Sequence, residues 1–318
     1  MAETPWGDLL INDAHVHFFS RNFYHGLARQ KKLADADGLA PLLGWEIPPA
    51  DPIVLANRWA AELTIQGVGR ACLIGSAHAD ESSITAAVQA QPDRFYGFFM
   101  LDPLQADAGE RLASAARDPG LHCVCFFPAM HTYSIADPRL VPFFELISDC
   151  RLAAFVHCGA LSVGVRKKLA LPSQFDMRLS DPLNLHPVGL HFPQIRFIVP
   201  HFGAGMLRET LMLADLCPNV YLDTSSTNHW MLYEGLDLRT TFRRTIDLLG
   251  PERLLFGTDS SFFPRGWHRA VFDQQTKALY ELGLDARQAT QILRGNLEQL
   301  LEVRVAFLQR SKQQSTGL

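Results

Sequence analysis

The sequence predicts an α/β protein built as a closed (β/α)8 TIM barrel, on three observations. Eight short runs rich in β-branched or aromatic residues recur along the 318 residues, most of them followed by a stretch of helical periodicity. Repeated strand–helix alternation argues for a parallel sheet, and eight repeats over this length argue for closure into a barrel. The turn after the first run reads Asp13-Ala14-His15-Val16-His17, where a doubly wound open sheet would usually carry a glycine-rich G-x-G-x-x-G turn.

The expected strands are 9–13, opened by Leu9-Leu10-Ile11, then 70–75, 95–101, 122–127, 153–157, 196–200, 220–224 and 254–257. Helices are expected over 51–66, 82–90, 106–117, 138–150, 205–217, 238–249 and 270–282. Four connections are longer than usual, at 18–49, 161–187, 225–237 and 260–268. Each follows a strand, so in a barrel all four crowd the face where barrel enzymes keep their chemistry. Gly44-Trp45 and Pro48-Pro49 suggest that the first is partly packed as a lid. One domain is expected over 9–306, with a polar, disordered tail over 307–318.

Hydrophobic residues make up 47% of the chain and charged residues 19%, the composition of a globular protein with material for a large core. A net charge of −4 gives no electrostatic footprint for nucleic acid or an anionic membrane. No apolar run approaches the ~20 residues that span a bilayer, and Met1-Ala2-Glu3-Thr4-Pro5 has no signal-peptide character. Cys72, Cys123, Cys125, Cys150, Cys158 and Cys217 form no C-x-x-C pair. They read as small buried hydrophobes in a reducing compartment, which points to the cytoplasm.

Chemistry gathers at the strand ends. His15 and His17, at i and i+2, project to one face of the first strand. Strand five ends in His157, strand six in His201 and strand eight in Asp259. A single strand-end histidine is ordinarily a hydrogen-bonded residue, and Asp259 alone could cap the next segment. Five such residues on one rim point instead to a bound cation, because buried imidazoles and an unpaired carboxylate would otherwise cost several kcal/mol.

The motifs D-A-H-V-H (13–17), V-H-C-G (156–159), V-P-H-F-G (199–203), N-V-Y-L-D-T-S (219–225), F-G-T-D-S (256–260) and G-N-L-E-Q-L-L (295–301) together resemble the amidohydrolase superfamily. Within it the likeness is to the amidohydrolase-related (amidohydrolase 2) branch, which includes hydrolases and the aminocarboxymuconate-semialdehyde decarboxylase group. The resemblance implies that His15, His17, His157 and Asp259 hold the metal and that His201 faces the substrate. Binuclear members bridge two metals through a lysine or glutamate on strand four, but here that strand reads His122-Cys-Val-Cys-Phe-Phe127, so a single ion is expected. Packing is the expected role of Cys123 and Cys125, and a structural one that of His122. Zinc suits three imidazoles, a carboxylate and a water, with manganese second.

The expected function is a metal-dependent hydrolase acting on an amide, lactone or ester of a small organic acid. Asp259 would move the proton and His201 would bond the substrate carbonyl oxygen. A non-oxidative decarboxylase of an aromatic or alkenyl acid is the alternative. Many ring-decarboxylating relatives carry H-x-G-E after strand six, whereas His201-Phe-Gly-Ala-Gly205 lacks the glutamate. A non-catalytic metal-binding barrel and a binuclear phosphotriesterase-like hydrolase are further alternatives. Substrate contacts are expected from Phe127, Trp230 and Trp267, and from Arg166, Arg178 and above all Arg265, which follows Asp259 closely. The expected partner is a small molecule, and the resemblance also implies a homodimer.

Overall fold

The computed structural model describes residues 1–225 and 229–316. Eight parallel strands follow one another in sheet order: β1 (Ile11–Phe18), β2 (Val68–Gly75), β3 (Phe95–Met100), β4 (Leu121–Phe126), β5 (Ala153–Val156), β6 (Phe197–Val199), β7 (Val220–Asp223) and β8 (Leu254–Leu255). Ala14 N–H donates to Phe256 O (2.8 Å), Asp259 N–H to His15 O (3.0 Å) and His17 N–H to Ser260 O (2.7 Å), joining the first strand to the end of the last and closing the barrel. The eight expected strands are therefore all present, and helices such as Pro52–Ile65, Leu207–Leu216, Leu238–Leu249 and Arg269–Glu281 lie close to their expected bounds. A short antiparallel hairpin, Ala2–Thr4 with Gly7–Leu9, precedes the barrel.

Because each strand is covered on both faces, the core divides in two. The barrel interior is filled by Ala14, Cys72, Ile74, Phe98, Cys123, Cys125, Phe155 and Ile198, with Leu297, Leu300 and Leu301 of the last helix packed into the same cluster. Cys72, Cys123 and Cys125 are thus packing residues. His122 stacks edge-on against Tyr96 at 5.0 Å and bonds Gly120 O, and burial pushes its pKa down to about 4. The last helix, Asn296–Thr316, runs through most of the segment for which the sequence suggested a disordered tail. No described helix is long and apolar enough to cross a membrane.

The long connection after β1 builds a small core of its own. Tyr24, Leu27, Leu39 and Leu43 pack against Val165 and Leu169 from the connection after β5. The expected lid is thus a folded layer over the mouth of the barrel.

Arg304 is 1% exposed and donates to Ala116 O (2.7 Å) and Cys150 O (2.7 Å), with longer contacts to Leu121 O and Asp118 O. The Ala116 and Cys150 carbonyls lie where helices Ala108–Arg117 and Val141–Asp149 end, among the last acceptors that a helix leaves unmet, so a cation there suits both those acceptors and the helix dipoles. Arg304→Met should lower stability by about 2–3 kcal/mol, the cost of orphaning buried carbonyls. Urea unfolding measures it, and an unchanged midpoint would deny Arg304 this role.

Candidate metal centre

His15 is buried at the closing seam of the barrel, and His17, one pleat further on, is about one-fifth exposed toward the mouth. Each imidazole is held by its Nδ1. His15 Nδ1–H donates to Asp223 Oδ2 at 2.5 Å, and His17 Nδ1–H donates to Ser76 Oγ at 2.8 Å while that hydroxyl donates to Ile74 O. With both Nδ1 protons committed, both Nε2 atoms turn inward, where each can offer a lone pair to a cation once its own proton is displaced.

Asp259 arrives from the end of β8 with φ +59°, a left-handed conformation that aspartate tolerates better than most residues. Its Oδ1 lies 3.2 Å from His17 Nε2 and 3.6 Å from His15 Nε2, and the two nitrogens are 3.3 Å apart. Three such atoms facing one another at these separations repel unless a proton or a metal cation lies between them. Atoms ~2.0–2.2 Å from one tetrahedral ion sit ~3.3–3.6 Å apart. These are the edges of the triangle, so the residues fit a divalent ion.

The surrounding charge agrees. Burial works against a charge on His15, but the charge of Asp223 and its hydrogen bond, aided by Asp259 and Asp13, push its pKa up to about 9. Burial would raise the Asp259 carboxyl, yet the His17 hydrogen bond and the neighbouring imidazoles hold it well below the usual carboxylate range. Asp13 fastens the triangle from behind. Its buried carboxylate accepts from His15 N–H, Thr258 N–H, Thr258 Oγ and Trp267 Nε1–H, tying β1 to the segment that carries Asp259. Gly257 is needed beside it, since a Cβ there would lie 2.5 Å from Asp223 Oδ1.

His157 and His201 line the same cavity but stand outside the triangle. His157 is buried and its Nδ1 has no hydrogen-bond partner among the described residues. Burial, reinforced by neighbouring imidazoles, drives its pKa well below 6.5 and keeps it neutral. His201 Nδ1–H donates to Ser225 O at 2.6 Å, which leaves Nε2 for the cavity. It opens five consecutive left-handed residues, His201 to Gly205. That turn packs so closely on the loop after β5 that a Cβ at Gly159 would meet Gly203 O at 1.9 Å.

The cavity measures ≈ 280 Å³ and is walled by Phe19, Phe23, Trp45, Phe127, Phe155 and Phe262, with Met100, Met130 and Leu161. Of the expected substrate contacts, Phe127 and Arg265 line it. The Arg265 guanidinium lies 4.5 Å from the Phe262 ring centre and donates to Ser261 Oγ and Asp259 O. Trp230, Trp267 and Arg178 need correction, and Arg166 lies outside this cavity. Trp230 is buried in the core against Phe202, and Trp267 is buried with its N–H on Asp13. Arg178 is exposed and paired with Asp176, and Arg166 lines a neighbouring cavity. Asp223, Ser76, Ser225 and Asp13 are the site residues for which the sequence suggested no role. Asp223 does close the seventh strand inside N-V-Y-L-D-T-S, which was the available signal.

The curated protein fluG of Emericella nidulans is 29% identical over 85 residues, which cover 27% of this chain and 10% of that protein. The chain therefore aligns with only a tenth of that relative's length. Among solved structures, an uncharacterized TIM-barrel protein from Bordetella bronchiseptica superposes with a TM-score of 0.65 at 20% identity, covering 93% of this chain and 99% of that one. A dihydroxybenzoic acid decarboxylase from Polaromonas sp. JS666, with bound manganese and 2-nitroresorcinol, gives 0.63 at 16% identity, covering 93% and 98%. A probable 2-pyrone-4,6-dicarboxylic acid hydrolase from Acinetobacter baumannii, with citric acid bound, gives 0.60 at 14% identity, covering 92% and 100%. At these identities the likeness is one of fold. The amidohydrolase family model (Amidohydro_2), by contrast, matches residues 13–303, from the first histidine pair to the last helix, and the chain belongs to that family.

Proposed function

We propose that the protein is a metal-dependent hydrolase that opens an amide, lactone or ester of a small organic acid. The supporting observation is the triangle of His15 Nε2, His17 Nε2 and Asp259 Oδ1, three inward acceptors at cation-binding separations under an aromatic cavity. His15, His17 and Asp259 would hold one divalent ion, with His157 as the fourth ligand, its Nδ1 being buried without a partner among the described residues. Zinc suits this donor set, and manganese is second, the ion bound by the Polaromonas decarboxylase. Such an ion supplies Lewis acidity and lowers the pKa of water from ~15.7 toward ~7.

The chain's own residues do the rest. Asp259, held ionised, accepts a proton from water and returns it to the leaving group. His201 presents Nε2 to the substrate because its other nitrogen is committed to Ser225 O. Burial lowers its pKa and keeps it neutral at rest, so it bonds the carbonyl oxygen only on taking up a proton as charge collects there. Phe127, stacked at 5.8 Å on His157, and Phe262 offer flat apolar faces to the substrate.

A second reading is decarboxylation of an aromatic or alkenyl acid. The apolar wall favours it, since a carboxylate loses CO2 more readily where water is excluded. A panel of lactones, esters, amides and unsaturated acids, run in 18O-water with zinc or manganese, separates the two. Label in a product carboxylate is the expected result. CO2 release without label would replace hydrolysis by decarboxylation.

A further inference from the structure

A second cavity, of ≈ 720 Å³, adjoins the metal cavity. The two share Phe23, Ser76, Met130, Val163 and Val165, which form a common wall. Ser76 belongs to that wall and also holds His17, so the outer cavity reaches to the back of the triangle. Charge sets it apart from the rest of a chain with net charge −4. Arg29, Arg166 and His78 line it, and no carboxylate does. Arg166 spends its hydrogen bonds on neutral acceptors, Gln30 Oε1 at 2.7 Å, Ser173 Oγ at 3.3 Å and Pro172 O, and forms no ion pair among the described residues. Asp80 lies behind the lining residue Asn22, but it is 3% exposed and committed to Ser20, Asn22 and Ser83.

We propose that this outer cavity is an anion-binding subsite of the same active site, in which Arg166 and Arg29 hold the distal carboxylate of an elongated substrate. The substrate's apolar middle crosses the Phe23–Met130–Val163 wall, and its reacting group lies at His15, His17 and Asp259. The inference rests on the reading of the triangle as a metal centre, and it assigns the substrate class: acids with a second carboxylate separated from the reacting carbonyl by an apolar span. Arginine suits the task, since its planar fork meets a carboxylate with two charge-assisted hydrogen bonds.

The test is calorimetric titration of the zinc-loaded protein with unbranched dicarboxylates, from butanedioate to decanedioate, each against its matching monocarboxylate. Once the chain is long enough to cross the wall, the second carboxylate should tighten binding about tenfold. Arg166→Met and Arg29→Met should each remove most of that gain and leave monocarboxylate binding unchanged. Arg178→Met, which deletes an exposed arginine outside both cavities, should keep it. No gain at any length, or an equal loss in Arg178→Met, would overturn the subsite while metal-dependent monocarboxylate binding left the metal centre standing. Failure of the wild type to take up zinc would reject the metal centre itself, and the subsite with it.

Discussion

Asp259→Asn is expected to lower kcat about 10³-fold on whichever substrate of the panel turns over, within the range spanned by loss of a proton-transfer group. The carboxylate occupies one corner of the triangle, 3.2 Å from His17 Nε2, and is held ionised by the imidazoles around it. An amide of the same shape cannot take a proton from water, so the substitution removes the chemistry and keeps the volume. It also keeps the backbone, because asparagine is among the few residues that adopt a left-handed φ such as the +59° found here. Melting temperature and metal content, measured beside kcat, separate lost chemistry from lost structure. Wild-type turnover in a folded, metal-loaded variant would exclude Asp259 as the proton carrier.

The strands were legible because each is an apolar run bounded by polar turns, and a barrel buries both faces of its sheet. Their C-terminal residues were legible for the same reason: once the strand is placed, His15, His17, His157, His201 and Asp259 fall on one rim. What holds those residues was not. Ser76 reaches His17 across 59 positions and Asp223 reaches His15 across 208, and no local period relates such pairs. The aromatic and basic residues of the long loops were the weakest part of the reading. A tryptophan beyond a strand end can face the cavity or the core with equal local propriety. Trp230 and Trp267 turned to the core, where Phe202 and the Asp13 carboxylate receive them, while Trp45, stacked on Phe262 at 3.8 Å, lines the cavity instead. Arg178 finds Asp176 two residues away, a neighbour that satisfies it at the surface.

Asp223→Asn should weaken metal binding about 10- to 100-fold although Asp223 is not a vertex of the triangle. The carboxylate, wholly buried, accepts from His15 Nδ1 at 2.5 Å with one oxygen and from Ser225 N–H at 2.7 Å with the other. That arrangement holds a proton on His15 Nδ1 and turns Nε2 into the triangle, the side on which the proposed ion would bind. An asparagine that keeps the Ser225 bond must turn its NH2 toward His15, which then accepts on Nδ1 and carries its proton on Nε2, where the ion belongs. Chelator competition measures the loss of affinity. Ser76→Ala, the equivalent change behind His17, should cost less, since a neutral hydroxyl that can donate or accept permits either tautomer and water can replace it. Equal, small effects from the two substitutions would mean that the imidazoles are oriented by packing alone, and the part given to Asp223 would have to be withdrawn.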